Sequence, residues 1–326
     1  MSTPERFLWR ADERDTYEIA RLTGPGSINR TDSRWRVHGA DLGHMFEHDG
    51  ALYMVFGDTF GPWGRGRRCN TLAWASDPDP WRGMVFDGMV TDRRGRAAEL
   101  IGTAAVPGEV VTVIPTYGVS AGGRMVLHYM AVRRWGPPGR WWVSGSGLAS
   151  SGDHGHSWRV HGVWWPGGGG FGQVAIVPEG AYLYLFGIPA GRFGGVRLAR
   201  VRVGDVLDPY GYTYWNGRGW AREGLADAVV VVEPPVGELS VRWNPYYARW
   251  LMTYLNHPAH AVVLRTSRAL TGPWSDESPV VTATRVPRLY APYIAPGWND
   301  GPDVFFTLSR FDVYDVFWWH TSLVTR

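Results

Sequence analysis

The sequence predicts an all-β chain folded as one five-bladed β-propeller. Three observations carry this expectation: a plan of short strands that recurs five times, a hairpin motif of the Asp-box type, and a load of 19 Trp, 15 Tyr and 12 Phe that a single sheet could not bury.

In each repeat an apolar lead strand is followed by a Gly/Asp turn, an aromatic-rich second strand, a polar loop and a third strand. The second strands read ALYMVFG at 51–57, RMVLHYM at 124–130, AYLYLFG at 181–187, RWLMTYL at 249–255 and DVFFTLS at 303–309. Each is β-branched or aromatic, and turn residues follow too soon for a helix of three turns. The third strands keep step as NTLAWAS at 70–76, SGLASS at 146–151, VRLARV at 196–201, VVLRTS at 262–267 and VFWWHTS at 316–322. Lead strands centred near Asp41, Ile114, Ala175, Leu239 and Tyr293 are separated by 73, 61, 64 and 54 residues, enough for a four-stranded meander with inserted loops. The fifth repeat is one strand short, so a strand around Tyr17 to Leu22 is expected to complete the last blade and close residues 1–326 into one domain.

The Asp-box pattern runs Ser151, Asp153, Gly155, Ser157, Trp158 at alternate positions and then in sequence. Its job is turn formation: Asp153 closes the hairpin through backbone N–H groups, Gly155 takes a positive φ and Trp158 plugs between strands. The aromatic residues fill the gaps between blades, because one sheet cannot cover both of its own faces.

Composition excludes several classes. Hydrophobic residues at 44% and charged residues at 19% describe a globular chain, and 43 Gly with 23 Pro make it turn-rich. The longest apolar runs, such as 228–232, fall far short of the roughly 20 residues of a membrane span. All 33 basic residues are Arg, the net charge is only +3, and the clusters Arg65, Arg67, Arg68 and Arg93, Arg94, Arg96 sit in Gly-rich loops, so no nucleic-acid partner is expected. Residues 1–10 lack the apolar core of a secretory leader, so Sec export is not expected. Cys69 stands alone and reads as an inert buried thiol. The run Gly167 to Gly170 has no Lys-Ser/Thr after it, and reads as a flexible linker between blades rather than a phosphate loop. His44, His48, His128, His154, His156 and His161 show no zinc spacing, and no Gly-x-Ser-x-Gly elbow is present; neither a metal nor another cofactor is expected.

In a propeller the lead strands line the axis, so the chemistry should come from their polar residues. A carboxylate in an apolar lead strand is costly to desolvate without a partner or a task, which singles out Asp41 and Glu238. Asp58 ends the second strand of the first repeat, where it could equally cap a tight turn.

The segments 39–43 (GADLG), 56–60 (FGDTF), 70–73 (NTLA), 184–187 (YLFG) with Arg192, 237–241 (GELSV) and 271–274 (TGPW) together resemble the endo-D-arabinanases of glycoside hydrolase family 183, formerly a domain of unknown function. The resemblance extends from about Val37 to Arg326. It implies a five-bladed propeller that cuts internal α-D-arabinofuranosidic linkages of D-arabinan, the polysaccharide of mycobacterial arabinogalactan and lipoarabinomannan. It also implies an actinobacterial or phage source, a phage protein reaching the wall at lysis or on the virion without a leader. Carried over, the acidic positions are Asp41 and Asp58, with Glu238 a further candidate. The fifth repeat departs from the pattern at 290–297 (YAPYIAPG), where a pocket-facing His is missing.

Glycoside hydrolysis needs one carboxyl to protonate the leaving oxygen and one carboxylate to activate water or attack the anomeric carbon. The expected arrangement makes Asp41 the base, Asp58 or Glu238 the acid, and the reaction inverting. The expected substrate-binding set is His44, Asn70, Gln173, Arg192, Arg242, Tyr290 and Tyr293, with Trp63 and Trp243 as further stacking aromatics. A non-catalytic glycan-binding propeller would keep the aromatics but tolerate loss of Asp41. A sialidase-like hydrolase would need an arginine triad, six blades and several Asp-boxes, and only one Asp-box is seen.

Overall fold

Five antiparallel sheets are arranged as the five blades of a propeller in the computed structural model, which describes residues 9–222, 224–298 and 300–325. The segment read for a leader therefore lies mostly outside the described residues. The lead strands are Gly39–His48, Thr112–Ala121, Gln173–Glu179, Leu239–Asn244 and Leu289–Ile294, and each lies beside the lead strands of the two adjacent blades, so that the five encircle an axis. The second strands are Ala51–Phe60, Arg124–Trp135, Tyr182–Ile188, Arg249–Asn256 and Asp303–Arg310, matching all five aromatic-rich segments of the sequence. The five-bladed β-propeller read from the repeat is the observed fold.

Blades one, two and four are four-stranded meanders. Blade three carries an additional short hairpin, Thr213–Trp215 with Trp220–Ala221, and its third strand also pairs with Val230–Val236. The glycine run expected as a flexible linker between blades two and three is packed at both ends: a Cβ at Gly167 would lie 2.2 Å from the Val143 carbonyl oxygen and one at Gly170 2.8 Å from Arg197 Cδ, while Gly168 faces open space.

The last blade is closed by the front of the chain. Tyr17–Arg21 and Trp9–Ala11 both pair with the final strand Asp315–Thr325, in the registers Tyr17 to His320 and Trp9 to Thr325. Beside this seam Asp315 is fully buried, accepts from Arg21, and accepts from Thr23 Oγ1 at 3.0 Å. Burial raises its pKa to about 6 even though Arg21 pulls the other way.

The Asp-box joins the third and fourth strands of blade two. Asp153 accepts from the Ser157 N–H at 2.9 Å and the Ser157 hydroxyl at 2.6 Å, Gly155 has φ 87°, and Trp158 Nε1 donates to the Gly155 carbonyl at 2.9 Å. The two bonds from Ser157, with one from the Ser151 hydroxyl, lower the Asp153 pKa to about 2. The motif is a hairpin clasp.

Candidate active site

The starts of the lead strands meet at one rim of the ring, and three carboxyls gather there. Asp41 is delivered by an irregular stretch of the first lead strand. Pairing with the second strand slips between Ala40 and Leu42 and again between Leu42 and His44, while Leu42 and Gly43 have φ 68° and 81°. Bulges of this kind turn a side chain out of the regular alternation. The fifth blade fastens this one: the Leu42 N–H donates to Ser309 Oγ at 3.0 Å and Thr307 Oγ1 donates to the Gly43 carbonyl at 3.1 Å. Gly57, opposite the slip, gives Asp41 its space, since a Cβ there would stand 2.5 Å from Asp41 Oδ1.

Asp41 is half-buried. Its Oδ2 accepts from the Tyr290 hydroxyl at 3.0 Å, and its Oδ1 is buried with no hydrogen-bond partner. Desolvation, then the charge of Asp58 and more weakly that of Glu238, raise its pKa to about 7, against the opposing pull of the Tyr290 and Tyr314 hydroxyls. Asp58 accepts three bonds on Oδ1: from Thr112 Oγ1 at 2.7 Å, Arg67 Nη2 at 2.8 Å and Arg67 Nε at 3.2 Å. Burial raises the Asp58 pKa, and Thr112 and Arg67 restrain the rise. Glu238, just ahead of the fourth lead strand, is gripped by Arg192, whose Nη2 and Nε lie 2.8 and 2.9 Å from Oε1. The Arg192 guanidinium also sits over the Tyr290 ring at 5.2 Å, which ties the third and fifth blades together across the axis.

Other expected residues fall into place around this centre. Gln173 Nε2 donates to the Gly191 carbonyl at 2.9 Å and so holds the turn that presents Arg192. Trp63 stands 91% exposed in the turn after the second strand, beyond Asp58. His44 lies deeper on the axis, stacked on Tyr117 at 5.7 Å and edge-on to Tyr293 at 5.7 Å. Both its ring nitrogens lack a partner of normal geometry, and burial lowers its pKa to about 3, the Pro115 carbonyl offsetting little. His128, close by, is bonded to Thr116 Oγ1 at 2.7 Å and is likewise lowered to about 3 by burial.

Two expected binding residues are not at the rim. The Asn70 amide donates to the Ile101 and Val113 carbonyls and accepts from the Leu100 and Ile101 N–H groups, so its hydrogen-bonding capacity is taken up by backbone and none remains for a sugar. Arg242 shares the strand face of Glu238, but four residues at about 3.3 Å each carry it about 13 Å along the strand. It lines a recess at the opposite rim with Ile294, Ala295 and Trp298, and Trp243 lies with it. Alternation placed Arg242 on the right face, but strand length set its depth.

Sequence reasoning missed Arg67, Thr112 and Tyr314. Arg67 sat in a loop cluster that looked merely solvated, Thr112 carried no charge to notice, and Tyr314 comes from a hairpin turn rather than a lead strand.

The fold is shared with solved structures of low sequence identity. A candidate hydrolase from Bacteroides ovatus ATCC 8483 superposes with a TM-score of 0.66 at 14% identity, covering 90% of this chain and 88% of that one. The α-L-arabinofuranosidase of Podospora anserina, solved with cellotriose, does so with a TM-score of 0.53 at 12% identity, covering 98% of both chains. In sequence the chain is 27% identical over 277 residues to notoamide biosynthesis cluster protein J of Aspergillus sp. MF297-2, covering 77% of this chain and 73% of the relative. A family profile matches residues 26–320, and the chain belongs to that family, described as Domain of unknown function (DUF4185).

Proposed function

We propose that the protein is a glycoside hydrolase that cuts internal α-D-arabinofuranosidic linkages of D-arabinan, with Asp41 and Asp58 as its working pair. The observation that carries this reading is the setting of Asp41, whose Oδ1 is buried without a partner at a rim shared with Asp58, so that desolvation and the second carboxyl raise its pKa to about 7. A proton retained near neutrality is what a general acid requires. Asp41 is therefore the acid here, rather than the base expected from the sequence, because one of its oxygens is desolvated and Asp58 and Glu238 oppose its charge.

Asp58 has the complementary character. Its hydrogen bonds all fall on Oδ1, which leaves Oδ2 for a water. In the proposed step Asp41 gives its proton to the leaving glycosidic oxygen as the C–O bond breaks. Asp58 takes a proton from the water that adds to the anomeric carbon, inverting it. Glu238 is held by Arg192 and orients the pair rather than exchanging protons. Trp63 offers an exposed face for a sugar ring, whereas Tyr290 and Tyr293, expected to stack, are buried against Arg192 and His44 and shape the floor of the site instead. The likeness in fold to an α-L-arabinofuranosidase supports a furanoside substrate.

The test is incubation with mycobacterial arabinogalactan and analysis of released oligosaccharides, with NMR of the first products reading the anomeric configuration. A product ladder from the wild type, reduced at least about 100-fold in Asp41→Asn and Asp58→Asn, is expected. Tight binding to arabinan with no product at any pH would instead mark a glycan-recognition propeller.

A further inference from the structure

At the rim opposite the carboxyls, two hairpins from neighbouring blades bring His48, Asp49 and His154 together, their ligand atoms all within 4.8 Å of one another. We propose that this trio binds one Zn²⁺ ion and clasps the first blade to the second.

The geometry has the features of a metal site rather than a chance meeting of surface charges. His48 Nε2 lies 3.4 Å from Asp49 Oδ2 and His154 Nε2 lies 4.0 Å from the same oxygen. Ligands about 2.0–2.1 Å from a tetrahedral zinc are about 3.4 Å apart. The first separation already fits, and the second requires a small movement of side chains that are 55% and 64% exposed. The outer nitrogen of each imidazole is engaged: His48 Nδ1 is hydrogen-bonded to Ser120 Oγ at 2.8 Å and His154 Nδ1 to the Tyr53 hydroxyl at 3.3 Å. That is the outer support that fixes the ring orientation of metal-bound histidines and leaves Nε2 for the ion. Two imidazoles and one carboxylate suit zinc better than magnesium or calcium, which prefer oxygen.

The three donors also come from the right supports. Asp49 and His154 occupy left-handed positions, φ 46° and 56°, each followed by a glycine in a tight hairpin turn, so both side chains are carried on short rigid loops. His48 and Asp49 further line a cavity of about 500 Å³ with Glu47, Ser120 and Trp298, which gives the ion a fourth, open position for water or a ligand. His48 and Asp49 are adjacent in sequence, but His154 follows 105 positions later, so no spacing motif could announce the set.

The test is titration of the untagged protein with ZnCl₂, followed by calorimetry and thermal melting. One equivalent should bind and raise the Tm, with no shift from MgCl₂. His154→Ala and Asp49→Asn, both at exposed positions, should each abolish the stoichiometric step, and Tyr53→Phe should weaken it about tenfold. His260→Ala, which removes one ring of the separate His257 and His260 pair, should leave it unchanged. Absence of a zinc-dependent Tm shift, or a binding step that survives His154→Ala and Asp49→Asn, overturns the proposal.

Discussion

Asp41 sets chemistry against stability at a single residue. Its pKa stands at about 7 in the native state against 3.8 for an unperturbed carboxyl, so the folded chain holds this proton more tightly than the unfolded chain. The sign follows: below about pH 4 the group is neutral in both states and neutral to stability, and as pH rises from there towards 7 it progressively favours unfolding. Asp41→Asn should therefore raise the Tm at pH 8 by a few degrees, reflecting a gain on the order of a few kcal/mol, and the gain should fade at pH 4. Thermal melts of the two proteins across this range check it. The same group should give the activity a descending limb near pH 7, measured as kcat/KM. The sequence made Asp41 conspicuous because it interrupts an apolar strand. It could not display the slip at Leu42 and Gly43, which is a property of pairing between two strands, nor the phenol of Tyr314.

Among the elements, the N-terminal strand and the final strand are joined by a pair whose members are unequally buried. Asp315 has no exposure, whereas the Arg21 side chain is 31% exposed. Removing the arginine strands a buried carboxylate, while replacing the aspartate by an amide leaves an acceptor for Thr23 and an arginine that can turn to water. Arg21→Ala should thus lower stability by about 3 kcal/mol and Asp315→Asn by clearly less, as read by chemical denaturation of both variants. The strand itself was legible from a count: the fifth repeat lacked one member, and the segment around Tyr17 to Leu22 was left to supply it. The partner arginine was not legible, because ion pairs across a seam have no sequence period. The hairpin Thr213–Trp215 with Trp220–Ala221 also escaped notice, being too short to show alternation.

For the whole molecule, the repeat of aromatic second strands was enough to give blade number and order, since every such segment had to bury two faces. The two rims were harder to tell apart. Arg242 and Glu238 alternate onto the same face, and only strand rise separates the acidic rim from the one bearing His48. Closure by the front of the chain also makes a global prediction. Deleting residues 1–22 should leave the outer edge of Asp315–Thr325 unpaired, and an exposed edge strand recruits other chains. Size-exclusion chromatography should show the truncated protein as aggregate where the intact chain elutes in a defined peak. The same closure orders events during synthesis. The segment that seals the ring is made before any of the five lead strands and must wait for its partner, Asp315–Thr325, which follows all of them. Asp41 likewise waits for Tyr290 and Tyr314. A nascent chain therefore holds an open ring and an unfinished reaction centre until residues 289–325 have been made.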